Sequence, residues 1–467
     1  MLVLLLFLLA LALVVGGILF LRVHAFLALL GAALLVTLLT PAGVVEDAAR
    51  ARGLSEQDAS ALARTPAGER VGEGFGRTCG QIGLLIAMAS IIGTALLESG
   101  GADRIVRSAL RVLGPARAPV AFLGSGFLLA IPVFFDTVFY MLVPLAKAAR
   151  VRSGGQYLLY VLAIVAGGTM THSLVPPTPG PLFGANAFGV SLALMTAGGC
   201  LVGGCAAAVG FTYARWADSR WPVPLRDAGP ALAELERVAQ SDDRQLPPLG
   251  LALLPILLPI VLITLHATVG STAAQHGWAA WLRVAGEKNV AVGSGAVAAM
   301  VMLWRASSGT RVREAVTTAL TSAGVIILIT AAGGAFGTAL QQSGLGTVVQ
   351  QLVARYELPV LPLAFVLTAV LRTALGSATV AMITASGAFA GLATGGHLAF
   401  HPMYLALAIG CGSKPIWWMN DSGFWVVTQM SGLTEREGLR YLTPMSILMG
   451  LTGLLATMLG AAVLPLV

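Results

Sequence analysis

The octapeptide GTALLESG at residues 93–100 returns at 337–344 as GTALQQSG, identical at six of eight positions. The likeness continues downstream of both copies. After the first come a short amphipathic stretch and an apolar segment interrupted at IPVFFDT, 131–137; after the second comes an apolar segment interrupted at LGSATVA, 375–381. A further interrupted segment follows in each half, with PPTPGP at 176–181 and NDSGF at 420–424. Two halves with paired Gly/Pro-interrupted apolar segments in corresponding positions are the sequence signature of a secondary transporter with internal repeats.

Composition agrees with that reading. Of 467 residues 57% are hydrophobic and 10% charged, whereas ordinary soluble domains carry about 25% charged residues. Apolar runs of about 18 residues or more recur along the chain, so the expected fold class is an all-α polytopic protein of the cell (inner) membrane, with the lipid bilayer as its main partner. The net charge of +7 does not point to nucleic acid, because the Arg residues lie in short loops between spans, where they set topology. Cys79, Cys200, Cys205 and Cys411 sit in or beside apolar segments without metal-ligand spacing, so a core role is expected and no cofactor. Residues 1–20 carry no charge and read as a first span rather than a cleaved signal. A second span reaches about Thr40, a polar loop of mixed charge covers 43–77, and a third span runs from about Gly80 to Leu97.

Loop charges orient the repeats. Asp103, Arg104, Arg107, Arg111 and Arg117 follow the first copy, whereas Arg355 and Glu357 alone follow the second and Arg305, Arg311 and Arg313 precede it. By the positive-inside rule the equivalent helices cross in opposite directions, which makes the repeat inverted. The stretch 119–146 then begins and ends on the cytoplasmic side, as a re-entrant hairpin with its tip near Pro132. Its mate, about 359–397, enters from outside with its tip near Gly376. Each half is expected to hold about five spans and one hairpin: a first repeat over 1–215 with an interrupted helix at about 157–187, a cytoplasmic linker over 216–248, and a second repeat over 249–467 with an interrupted helix at about 402–430. The long apolar helices at 1–20, 24–42 and 249–270 would supply a scaffold and a homodimer interface.

Ionisable residues inside these runs locate the chemistry. Asp136 is the only charge between Pro119 and Ala146, Asp421 the only one between Pro415 and Thr434, and Arg372 the only one from Leu358 to Gly412 apart from two histidines. From Ser153 to Ala214 there is only His172. Such groups cost about 2.5–3.5 kcal/mol at bilayer depth even on insertion scales, which makes them functional candidates. Each also has a structural reading. Asp136 and Asp421 suit helix N-caps, Arg372 suits an ion pair with either, and His172 suits a satisfied polar side chain as well as a proton relay. A guanidinium and half-helix N-termini aimed at the midplane favour an anion, while Ser377, Thr379, Asn420 and Ser422 suit hydroxyls. The expected ligand is a small anionic organic acid, with protons as the coupling ion.

GTALLESGGADRI at 93–105, IPVFFD at 131–136, PPTPGP at 176–181, GSATVAMITASG at 376–387, NDSGFW at 420–425 and GLTERE at 432–437 resemble the gluconate:proton symporter family, GntP, within a superfamily of elevator-type ion transporters. The resemblance runs from about Gly72 to the end of the chain. It implies proton symport of gluconate or a related sugar acid, with D-serine and other small acids carried by some members. It also implies a substrate site at the hairpin tips and interrupted helices, with Asp136, Arg372, Ser377, Thr379, Asn420 and Asp421 on matching positions; Pro132 and Gly376 at the tips and Thr178 in PPTPGP are candidates beside them. The chain departs from the family pattern where Asp136 replaces Glu, Thr178 and Trp418 replace His and Leu375 replaces Gln; Lys414 and Trp417 are also unusual. Among rival classes, a sodium-coupled carboxylate or amino-acid carrier of the same fold fits the GSAT and NDSG motifs. A channel lacks its continuous polar stripe, and an intramembrane hydrolase lacks a nucleophile motif.

Overall fold

The structure, a computed structural model, describes residues 2–466 except 52, 154, 222, 227–245, 270–276, 308, 349–350, 352–358, 396–397 and 420. All regular structure among the described residues is helical. Helices α1 (Leu2–Leu19) and α2 (Ala25–Leu39) lead into α3 (Ala42–Ala51), α4 (Glu56–Arg64) and α5 (Ala67–Glu98), which ends in the first octapeptide. Then come α6 (Gly101–Leu113), α7 (Ala118–Leu129), α8 (Phe135–Ser153), α9 (Tyr157–Leu174), α10 (Pro179–Ala187) and α11 (Leu192–Arg220). After the linker, α12 (Leu249–Val269), α13 (Gly277–Ala285) and α14 (Lys288–Ala306) precede α15 (Gly309–Gln342), which carries the second octapeptide into its C-terminus. The chain closes with α16 (Val360–Leu375), α17 (Ala378–Thr394), α18 (Pro402–Gly412), α19 (Ser422–Ser431) and α20 (Glu435–Val463).

Among the described residues seven helices are long and apolar enough to cross a membrane, or nine if two bent pairs each count as one span. The bends are 101° between α2 and α3 and 115° between α6 and the segment Pro115–Leu129. The expected five spans per half therefore exceed the helices that qualify by length. Val3–Ile18 and α18, which fall among the expected spans, are apolar but only 10–17 residues long, too short to span about 30 Å of hydrocarbon singly. Helices α16 and α17, equally short, are the arms of the expected hairpin.

The polar segment 43–77, expected as a loop, is largely helical. Helix α3 buries Val45, Ala48 and Ala49, and Ser55 caps α4 by accepting the Asp58 N–H at 3.2 Å. Pro66 precedes the first turn of α5, which makes the third span longer at its start than the expected Gly80. Its charge at Arg70 is buried and donates to Gln342 Oε1 at 3.3 Å and to the Thr37 carbonyl at 3.2 Å. Charge density marked these residues as a loop, yet their apolar face and paired Arg70 hold them as helix.

The two halves interlock rather than stand apart, with α5 packed along α15, α11 against α20 and α10 against α17. At the centre lies α9, in which every residue but His172 is buried. Its run of small residues, Ala166-Gly167-Gly168, permits backbone contact where lipid gives no hydrophobic drive. A Cβ at Gly167 would sit 2.2 Å from the Leu123 carbonyl oxygen and 2.8 Å from Phe127 N, both backbone atoms of α7. Thr169 and Thr171 turn their hydroxyls onto the carbonyls of Val165 and Gly167, at 2.7 and 3.1 Å, so the helix buries them without an unpaired donor.

Across the linker, Arg226 reaches the GLTERE motif. It forms paired hydrogen bonds to Glu437 at 2.8 and 2.9 Å and donates to the Gly432 carbonyl. Glu437 also closes a capping box with Thr434, so the start of α20 is fixed from both sides. The Glu437 hydrogen bond stabilises the charged guanidinium and raises the Arg226 pKa further above its ordinary value.

Close packing of α7 on α9 yields a direct test. Gly167→Ala should cost about 1–3 kcal/mol through forced backbone separation, lowering the melting temperature, while Gly124→Ala, with open space around its Cβ, should not. Thermal melts of both purified variants check this, and equal stability would refute the packing.

Candidate functional site

Four interruptions in the helical pattern build the site. Between α16 and α17 the break is two residues, Gly376 and Ser377. Gly376 adopts φ +74°, a left-handed conformation that a Cβ would penalise and that ends α16. Ser377 then starts α17, its Oγ accepting the Val380 N–H at 3.3 Å. Residues 130–134 separate α7 from α8 and place Asp136 in the first turn of α8. The prolines of PPTPGP open α9 from α10: Pro179 and Pro181 lie in the first turn of α10, where their missing N–H groups interrupt no helical bond.

The longest of the four breaks lies between α18 and α19. Ser413 caps α18, Ile416 adopts φ +57°, and Asp421 caps α19. Its Oδ1 accepts the N–H groups of Gly423 and Phe424 at 2.5 and 3.2 Å, while its Oδ2 pairs with Arg372. Arg372 Nε donates to the Ser413 carbonyl at 3.2 Å. One guanidinium at the end of α16 thus ties the C-terminus of α18 to the N-terminus of α19. The pair is almost sealed, with the Arg372 side chain 4% and the Asp421 side chain 11% exposed, and Arg372 Nη1 has no hydrogen-bond partner among the described residues.

A cavity of about 380 Å³ opens beside this brace, within the range of small-ligand sites. The first turns of α8, α10, α17 and α19 reach it through Asp136, Pro179, Thr379 and Gly423. Such helix starts carry the positive end of the helix dipole. A Cβ at Gly423 would lie 2.9 Å from Asp421 Oδ1 and 3.2 Å from Asp136 Oδ1, so the bare glycine backbone lets both carboxylates approach one place. Aromatic walls are set by Phe135 and Trp417, edge to face at 5.8 Å, and by Phe134 against the His172 ring at 5.9 Å. Among the described residues, the Nδ1 of His172 and the Nε1 of Trp417 have no hydrogen-bond partner.

Of the residues singled out from sequence, Asp136, His172, Arg372, Gly376, Ser377, Thr379 and Asp421 share this cavity. Pro132 lies elsewhere, in a small apolar pocket with Pro176 and Pro177. Thr178 is buried and donates to the Val175 carbonyl at 2.6 Å, outside the cavity lining. Asn420 lies outside the described residues, and Ser422 begins α19 with its side chain outside them. Lys414, Trp417, Ser413, Ser446 and Thr169 also line the cavity and were not picked out as binding residues. Lys414 carried the clearest missed signal, a lysine within an apolar run. A second crevice of about 690 Å³ runs between α5, α10, α15 and α17, with glycines alongside polar side chains such as Arg77 and Asn186 in its wall. There Gly337 packs on Gly387 and Gly346 on Gly391.

The chain matches the GntP family permease model over residues 57–463. It is 32% identical over 462 residues to an uncharacterized permease of Haemophilus influenzae, covering 93% of this chain and 87% of that protein. It is 31% identical to the gluconate permease of Pseudomonas aeruginosa over 403 residues, covering 84% and 87%. It is 29% identical to the low-affinity gluconate transporter of Escherichia coli K12 over 406 residues, covering 83% and 86%. Among solved structures the YdaH transporter of Alcanivorax borkumensis is similar with a TM-score of 0.61 at 16% identity, covering 84% of this chain and 88% of that one. MtrF of Neisseria gonorrhoeae follows at 0.59 and 13%, covering 85% and 84%. These two likenesses concern the fold. With its apolar helices and this match, the chain belongs to the GntP permease family and is a multi-pass inner-membrane transporter, not an enzyme.

Proposed function

We propose that the protein carries gluconate or a related small sugar acid inward by proton symport, with the cavity beside the Arg372–Asp421 brace as the substrate site. The carrying observation is the composition of that cavity: four helix N-termini, cationic side chains and hydroxyls converge where the surrounding helices are apolar. A carboxylate suits the positive ends of these helix dipoles and the cationic side chains of the wall. The sugar hydroxyls suit Ser377, Thr379 and the other polar atoms of the wall. Family membership and the gluconate permeases among its relatives favour the same substrate.

Asp136 is the proposed proton carrier. Asp421 is committed to Arg372 and to two backbone N–H groups, whereas among the described residues no cation pairs with Asp136. A carboxyl free to gain and lose a proton beside the substrate changes the charge of the loaded site. His172, with its unpartnered Nδ1, borders the same space and is the proposed relay. The inverted arrangement of the halves and elevator-type movement of the broken helices against a scaffold belong to this proposal. The glycine contacts between α15 and α17 support it, since surfaces without side chains slide with little interlocking. A homodimer built on the long apolar helices completes the reading.

Radiolabelled gluconate uptake into proteoliposomes tests the function. With an inward proton gradient in sodium-free potassium buffer, accumulation above equilibrium and its collapse by a protonophore are expected. Accumulation that needs sodium, or none at all, would overturn the reading. Asp136→Asn should abolish proton-driven accumulation while preserving part of the gluconate–gluconate exchange, which counterflow measures. Retained accumulation would remove Asp136 from coupling.

A further inference from the structure

One cation of the cavity has no role in the account so far. Lys414 lies two residues beyond the last residue of α18, in the break before α19. It is 9% exposed and lines the cavity. Its electrostatic neighbours include Arg372 and Asp421. The carboxylate of Asp421 is nonetheless spent on Arg372 and on the cap of α19. Lys414 has no side-chain hydrogen bond and no ion pair among the described residues, and its backbone N–H is satisfied by the Cys411 carbonyl at 3.1 Å.

The end of a helix tolerates a cation, because the dipole is negative there. That explains how a lysine can stand after α18 but leaves its ammonium without an acceptor. The Ser413 carbonyl at that end accepts from Arg372 Nε at 3.2 Å. A buried ammonium without an anion is costly, and Lys414 shares the cavity wall with Arg372. The brace and Lys414 therefore differ in kind: Arg372 is already neutralised by Asp421, and Lys414 is not.

We propose that Lys414 is the residue that selects for a negatively charged substrate, forming the salt bridge to its carboxylate beside the Arg372–Asp421 pair. This rests on the reading of the cavity as the substrate site. In it, the substrate carboxylate supplies the anion that the empty protein withholds from Lys414. Arg372 and Asp421 act as the fixed frame and Lys414 as the group that distinguishes an acid from its neutral analogue.

The test compares gluconate, glycerate and lactate with their neutral amides as stabilisers of the purified full-length protein in thermal melts. A ligand that binds only the folded state raises its melting temperature. In the wild type at least one acid is expected to bind more tightly than its amide. In Lys414→Met that acid should lose about tenfold or more in affinity, the magnitude of a charge-assisted bond, while the amide is unchanged. Lys414→Arg should restore much of the preference. No preference for acid over amide in the wild type overturns the proposal. So does an equal loss for acid and amide in Lys414→Met, which marks a structural role, or an acid affinity within twofold of wild type. If glycerate or lactate shows the Lys414 dependence and gluconate is neither bound nor accumulated, the gluconate reading fails and this proposal stands.

Discussion

A guanidinium buried inside a protein has no water to hold its charge, so the groups that surround it must be held in place. Arg372 answers this with the Asp421 carboxylate on one side and the Ser413 carbonyl on the other. Breaking such a buried pair by removing one member costs about 3–5 kcal/mol, because the remaining charge stays buried. The pair therefore does more than neutralise itself. It fixes the end of α16 against both edges of the long break between α18 and α19, and Asp421 in turn caps α19. The other breaks can then be arranged around a stationary wall.

Interrupted helices are a liability in lipid, since each break frees backbone donors and acceptors. Here each break answers it differently. Ser377 and Asp421 return donors to side-chain oxygens, Thr178 donates its hydroxyl to the Val175 carbonyl, and prolines in the first turn of α10 lack the N–H altogether. Four helix starts reach one cavity. The same sequence choices that make non-helical backbone tolerable inside the protein thus gather the positive ends of four helix dipoles at one place.

Much of this was legible in the chain because charge is rare in it. With 10% charged residues, a lone Asp136, Arg372 or Asp421 inside an apolar run stands out, and these are residues the fold brings to one cavity. The polytopic class and the family were equally readable, from hydropathy and from ordered motifs. The segment 43–77 was not, because its helices are amphipathic and short, and Arg70 is paired to Gln342, 272 residues away. Pro132 and Thr178 were read from the break motifs themselves. A break fixes where helices start but not which side faces the cavity, and these two face elsewhere. Lys414 was visible as an oddity, but that it lacks a partner depends on Asp421 being taken by Arg372, which only three-dimensional placement reveals.

The proposed site of the anion is the roughly 380 Å³ cavity beside the Arg372–Asp421 brace rather than the glycine-containing crevice of about 690 Å³ between α5, α10, α15 and α17. An electron cryomicroscopy map of the protein saturated with gluconate measures this directly. Ligand density is expected between Asp136 and Arg372, with its carboxylate toward the start of α17 and Lys414. Density in the glycine-containing crevice, with the brace cavity empty, would contradict this placement.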